Sequence, residues 1–154
     1  MAIPMTVETG MISGVPGEIA FHGPTRVRTA VIDSADSKNN VFGRAYTIKD
    51  GEPEAGVYVQ AGGAGHFAGI MISPKAYNLD KELNGTQGEF LDMGEVYVRL
   101  ESEGAKIGDK VYFVPATGEL TTEEDGNTLV PNCIVERNTP SAEQPTLAVI
   151  RLTN

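Results

Sequence analysis

The chain has 154 residues, 12 of them basic and 21 acidic, for a formal charge of −9. A length of this order is one domain with room for a core of its own, and the acidic balance argues against a nucleic-acid partner, which would want a concentrated basic face. Cys133 is the single cysteine, so no internal disulfide can form.

Eighteen glycines and nine prolines, with no tryptophan, point to many short turns and an all-β protein. No leader pattern opens the chain, and no run of about 18 apolar residues occurs in it. The expectation is a soluble, unexported protein with no membrane partner.

Residues 1–16, MAIPMTVETGMISGVP, alternate Ile3, Met5 and Val7 with Pro4 and Thr6, a period of two that suits extended chain. Pro4, Gly10, Gly14 and Pro16 oppose a helix. The stretch reads either as a first strand of the core or as an arm that docks on a neighbouring chain. An idle tail is the third reading, although such tails are usually poor in large apolar residues. As an arm, its candidate partner-binding residues are Ile3, Met5, Val7, Met11 and Ile12, and residues 17–154 form a single β domain.

Strands are expected at Gly17–Phe21 and Arg26–Ile32, separated by His22-Gly23-Pro24, and at Val41–Ile48 with a bulge at Gly43. Between the last two lies a polar loop, Asp33 to Asn40. Val57–Gln60 and His66–Ile72 follow as a strand pair about the turn Ala61–Gly65. A short helix is admitted only over Lys75–Leu83. Gly88–Met93 and Glu95–Leu100 are strands around Gly94; Lys110–Val114 and Glu119–Thr121 form a hairpin; Cys133–Glu136 and Leu147–Leu152 end the series. About ten short strands with turn signals between them argue a β-sandwich or barrel.

Gly63-Ala64-Gly65-His66-Phe67-Ala68 matches the glycine fingerprint of dinucleotide-binding loops. That fingerprint needs a helix to open directly behind it. Gly69, two β-branched residues and Pro74 follow instead, a poor helix start given costs of about 1 kcal/mol for glycine and about 3 for proline. Strand, glycine loop, strand is the better reading. The acidic cluster Glu123, Glu124 and Asp125 lacks the ligand spacing of a calcium loop and reads as a solvated turn. His22 and His66 stand at turn edges, and Cys133 reads as a small buried hydrophobe. No nucleophile-elbow, zinc-protease or phosphate-loop motif is present. The expectation is a non-enzymatic protein with no catalytic residue, cofactor or metal.

Seven blocks, in order, carry a family resemblance: Ile12 to Arg26, Asn40 to Tyr46, Gly62 to Pro74, Lys75-Ala76-Tyr77, Met93 to Val98, Ile107 to Tyr112 and Thr117 to Leu120. Together they resemble the structural cement proteins of tailed bacteriophages, which decorate the outside of a capsid. The resemblance implies a jelly-roll-like β fold and contacts that bridge neighbouring major capsid subunits. It further implies a homo-oligomer, dimer favoured over trimer, on the outer capsid surface of a virion assembled in the host cytoplasm. A small ligand- or glycan-binding β module is the alternative, and it would display exposed aromatics on a concave face.

Overall fold

The computed structural model describes residues 14–49, 57–73, 82–140 and 144–153. Within them the fold is all-β, with one 3-10 turn at Ser37–Asn39. Nine strands run in chain order: β1 Ile19–Ile32, β2 Ala45–Ile48, β3 Tyr58–Ala61, β4 Phe67–Ile72, β5 Gln87–Arg99, β6 Lys110–Phe113, β7 Leu120–Thr121, β8 Thr128–Asn138 and β9 Leu147–Thr153.

The sheet has the order β1-β3-β2-β4-β5-β9-β8-β6-β7, and β1 also pairs with β5. Strands β1, β3, β2, β4 and β5 therefore close into a five-stranded barrel. The rest of the sheet curls back until Leu100, just past β5, bridges Leu120 of β7. Glu101 N–H donates to the Leu120 carbonyl at 2.8 Å beside that bridge. The jelly-roll-like or barrel expectation is met by this rolled sheet, whose spine is β5: it bonds β1, β4 and β9 along its length.

Two apolar layers follow from the side-chain alternation of strands. The barrel interior holds Ala30, Ile32, Tyr46, Val59, Ala61, Ala68, Met71 and Phe90. The second layer packs Ala45, Ile70, Ile72 and Leu91, from the other faces of β2, β4 and β5, against residues of the curled-back half such as Val98, Phe113, Val135 and Ile150. Strands β2 and β4 are thus buried on both faces, which is why Phe67–Ile72 is apolar without alternating. Each fully buried side chain of this size contributes roughly 1.5–3 kcal/mol over leaving it exposed. Cys133 is buried in the second layer, as expected.

A polar plug closes one end of the barrel. Asn84 Oδ1 accepts from Ser34 N–H at 3.1 Å and Asn40 Nδ2 at 2.7 Å, while Asn84 Nδ2 donates to the Ser34 carbonyl at 3.0 Å. The Tyr46 hydroxyl donates to Asn40 Oδ1 at 3.1 Å, so this buried ring, 5.0 Å from that of Phe90, keeps its polar end satisfied.

The strands differ from expectation where glycine or proline was read as a break. Gly17–Phe21 and Arg26–Ile32 are one strand, β1, with register shifts between Ile19 and Val27. His22-Gly23-Pro24 is a bulged stretch rather than a turn. Likewise Gly94, at φ +131°, lies inside the continuous β5. The expected strand Val41–Ile48 shrinks to Ala45–Ile48, because Gly43 (φ +85°) belongs to the turn before it and donates to the Met71 carbonyl at 2.7 Å. β8 starts at Thr128 rather than Cys133 and takes in Pro131 and the left-handed Asn132 (φ 48°). Strands β3 and β4 do not pair with each other but flank β2. Of the expected helix Lys75–Leu83, residues 75–81 lie outside the described residues, and Glu82 and Leu83 are not helical.

Candidate assembly surface

The first described residues are clamped to the body. Glu18 N–H donates to the Val15 carbonyl at 3.0 Å, closing a turn with Pro16 and Gly17 (φ +90°) at its centre, the pattern of a type II turn. Gly17 N–H then donates to the Tyr97 carbonyl at 2.8 Å, and Tyr97 N–H donates to the Glu18 carbonyl at 2.9 Å. Gly14 lies flat on the Tyr97 ring, where an added Cβ would come within 2.6 Å of ring carbons. Val96 and Val98 point into the core, so Tyr97 and Gly14 sit on the opposite face of β5. The expected contact residues Ile3, Met5, Val7, Met11 and Ile12 lie outside the described residues.

Beyond the turn, the first half of β1 is the least covered strand of the fold. Its residues Ile19 to Val27 are all partly or fully exposed. One edge is bonded to β5; on the other, the described pairings are those of Val31 and Ile32 with β3. Pro24 fits such an edge, since it has no N–H to offer a neighbour. Phe21 is 58% exposed, Val15 50% and Val27 38%. Among the described residues Phe21 is the one exposed Phe or Tyr.

The Phe21 ring rests on Gly23, where a Cβ would lie 2.8 Å from its Cδ1. The ring itself forms one wall of a recess of about 320 Å³ that is also lined by Pro24, Met93, Gly94, Glu95, Arg151, Leu152 and Thr153. Arg26 Nε donates to Asp92 Oδ1 at 2.8 Å, and that hydrogen bond, reinforced by the charge of Asp92, pushes the Arg26 pKa up. No reading of the sequence singled out Phe21. The signals were there in Pro24, marking an edge, and in Phe21 two positions before a glycine.

The features that invited chemistry are occupied by structure. Gly62 N–H donates to the Ala45 carbonyl at 2.9 Å and Gly63 N–H to the Pro115 carbonyl at 2.7 Å. A Cβ on Gly65 would overlap the Ile48 carbonyl oxygen. The glycines make room for this chain's own backbone, and β4 follows them. His22 and His66 are exposed, as are Glu123, Glu124 and Asp125. Among the described residues no three His, Cys, Asp or Glu gather closely enough to hold a metal ion. No described helix is long and apolar enough to cross a membrane, which says nothing of a β-barrel.

Residues 3–153 match the family described as "Structural cement protein (E217 gp24/Pam3 gp6)". The chain belongs to that family. Membership makes it a capsid-associated structural protein of bacteriophages. No curated protein matches the sequence. A chain of the solved structure "The capsid of Myoviridae Phage XM1" is similar in fold, with a TM-score of 0.72 at 16% identity over 100% of this cement protein and 99% of that chain.

Proposed function

We propose that this cement protein decorates the outer face of a phage capsid and bridges neighbouring major capsid subunits, without catalysing a reaction. It works as a homo-oligomer, a dimer in preference to a trimer, and joins the virion during assembly in the host cytoplasm. Its division of labour follows the chain: residues 1–16 are the arm that reaches a neighbour, and residues 17–154 are the β body.

The observation that carries this reading is the clamp at Gly14–Glu18, next to a stretch whose Ile3, Met5, Val7, Met11 and Ile12 are apolar. A body that grips the chain at Gly14 can transmit an attachment made by the residues before it. Thirteen extended residues reach up to about 43–47 Å from that point, enough to cross onto a second subunit. Repeated over a lattice, individually modest contacts add through effective concentration.

The test is co-sedimentation with capsids that lack the cement protein, comparing the full chain with a deletion of residues 2–12. The deletion should keep the fold and its melting temperature and weaken capsid binding at least about tenfold, or about 1.4 kcal/mol. A deletion that unfolds the protein makes the segment a core strand. One that binds capsids unchanged makes it an idle tail.

A further inference from the structure

We propose that two copies of this chain meet at the first half of β1 about a two-fold axis, each Phe21 ring seated in the other's recess. The inference rests on the homo-oligomer reading above and adds the surface that makes it.

A two-fold contact uses the same patch twice, so the patch must fit itself. This one carries both halves of a fit. Phe21, 58% exposed, stands as one wall of the recess that Met93, Gly94 and Leu152 also line, so a partner ring entering that recess would pack beside it. The ring is already placed: it lies on Gly23, in space that a Cβ would take. A fixed aromatic anchor loses little freedom on binding and belongs to the residue class that dominates interface energy.

Charge points to a second copy as the occupant. The chain carries a formal charge of −9, which opposes self-association over most of its surface. Around Phe21 both signs are present. Arg26 is paired with Asp92 and Arg151 with Glu136, and Glu95 also lines the recess. Two such patches related by a two-fold can set acid against base, which a patch of one sign cannot do. The edge agrees with this. Pro24 and the register shifts of β1 interrupt the row of backbone groups that would template an endless sheet, favouring a contact made by side chains that stops at two.

Sedimentation velocity over a micromolar concentration series, on the full chain, tests the proposal. Wild-type protein should be dimeric, and Phe21→Ser should weaken the dimer at least about tenfold. Gly23→Ala keeps the ring but pushes it off its seat and should weaken the dimer by a smaller factor. Ile107→Ser, which removes a 72%-exposed side chain from another loop, should change nothing. Where Phe21→Ser also lowers the melting temperature, the exposed Pro24→Arg decides on the same scale, since it blocks the recess and leaves Phe21 in place. A Phe21→Ser or Pro24→Arg protein as dimeric as wild type overturns the proposal and leaves the homo-oligomer reading standing. So does an unaffected Gly23→Ala, which would mean that the ring is not seated. A wild-type chain that stays monomeric throughout overturns both.

Discussion

Gly62 and Gly118 meet backbone to backbone: a Cβ on Gly62 would lie 2.9 Å from Gly118 N, and one on Gly118 would lie 2.8 Å from Gly62 N. Gly118 also accepts from Ala45 N–H at 2.9 Å, and Ala45 accepts from Gly62 N–H at 2.9 Å. The loop that imitates a nucleotide fingerprint is thus a clasp between the barrel and the turn after β6.

The clasp can be separated from simple backbone strain. Gly118 (φ +79°) and Gly126 (φ +73°) are similar in conformation, but only at Gly118 would a Cβ meet other atoms. Gly126→Ala should cost only the left-handed penalty of about 1–2 kcal/mol. Gly118→Ala carries that penalty plus an overlap at 2.5 Å with the Ala45 carbonyl oxygen. Thermal unfolding should place Gly118→Ala clearly below Gly126→Ala, by at least about 2–4 °C for each additional kcal/mol. Equal melting temperatures would dissolve the clasp.

The plug at the barrel end predicts an asymmetric response at Asn84. Asn84→Asp keeps acceptors toward Ser34 N–H and Asn40 but turns a donor into an acceptor facing the Ser34 carbonyl. An unsatisfied carbonyl of this kind costs roughly 1–3 kcal/mol. Urea denaturation at neutral pH should show that loss, with part of it recovered at a pH low enough to protonate the new carboxyl.

Burial pushes the Cys133 thiol well above its ordinary 9.0, and it pushes the Tyr46 phenol well above 10.0, with Arg44 pulling slightly the other way. In both cases the unfolded chain gives up its proton first. Stability from these groups is therefore complete below about pH 8.5 and falls as pH rises past the unfolded values. Denaturation midpoints should be flat from pH 7 to about 8.5 and decline above it. Cys133→Ala should delay the decline to the tyrosine range. Native Cys133 should resist alkylation at neutral pH and react promptly in denaturant, because the nucleophile is the thiolate.

How much of this could be read from sequence depended on the kind of information required. Runs such as Lys110–Phe113 and Leu147–Leu152 announce themselves because β-branched and aromatic residues crowd between turn residues. Their partners do not, since pairing β1 with β5 joins residues as far apart as Ile19 and Val96 and leaves no local trace. Gly23-Pro24 and Gly94 looked like ends of strands because both residues usually are; here tertiary pairing carries the strand through them. On the candidate assembly surface, Phe21 passed for an ordinary strand residue, because exposure depends on which edge the rest of the chain leaves open.

The grip of Tyr97 on Gly17 and Glu18 has a mechanical meaning. Tension on the chain ahead of Gly14 reaches the body through two backbone hydrogen bonds to β5 and a third from Ser73 N–H, just past β4, to the Gly17 carbonyl. Strand β5 is laced to β1, β4 and β9 and faces both apolar layers. A tug is thereby shared over three ladders at once instead of unzipping a terminal strand one rung at a time.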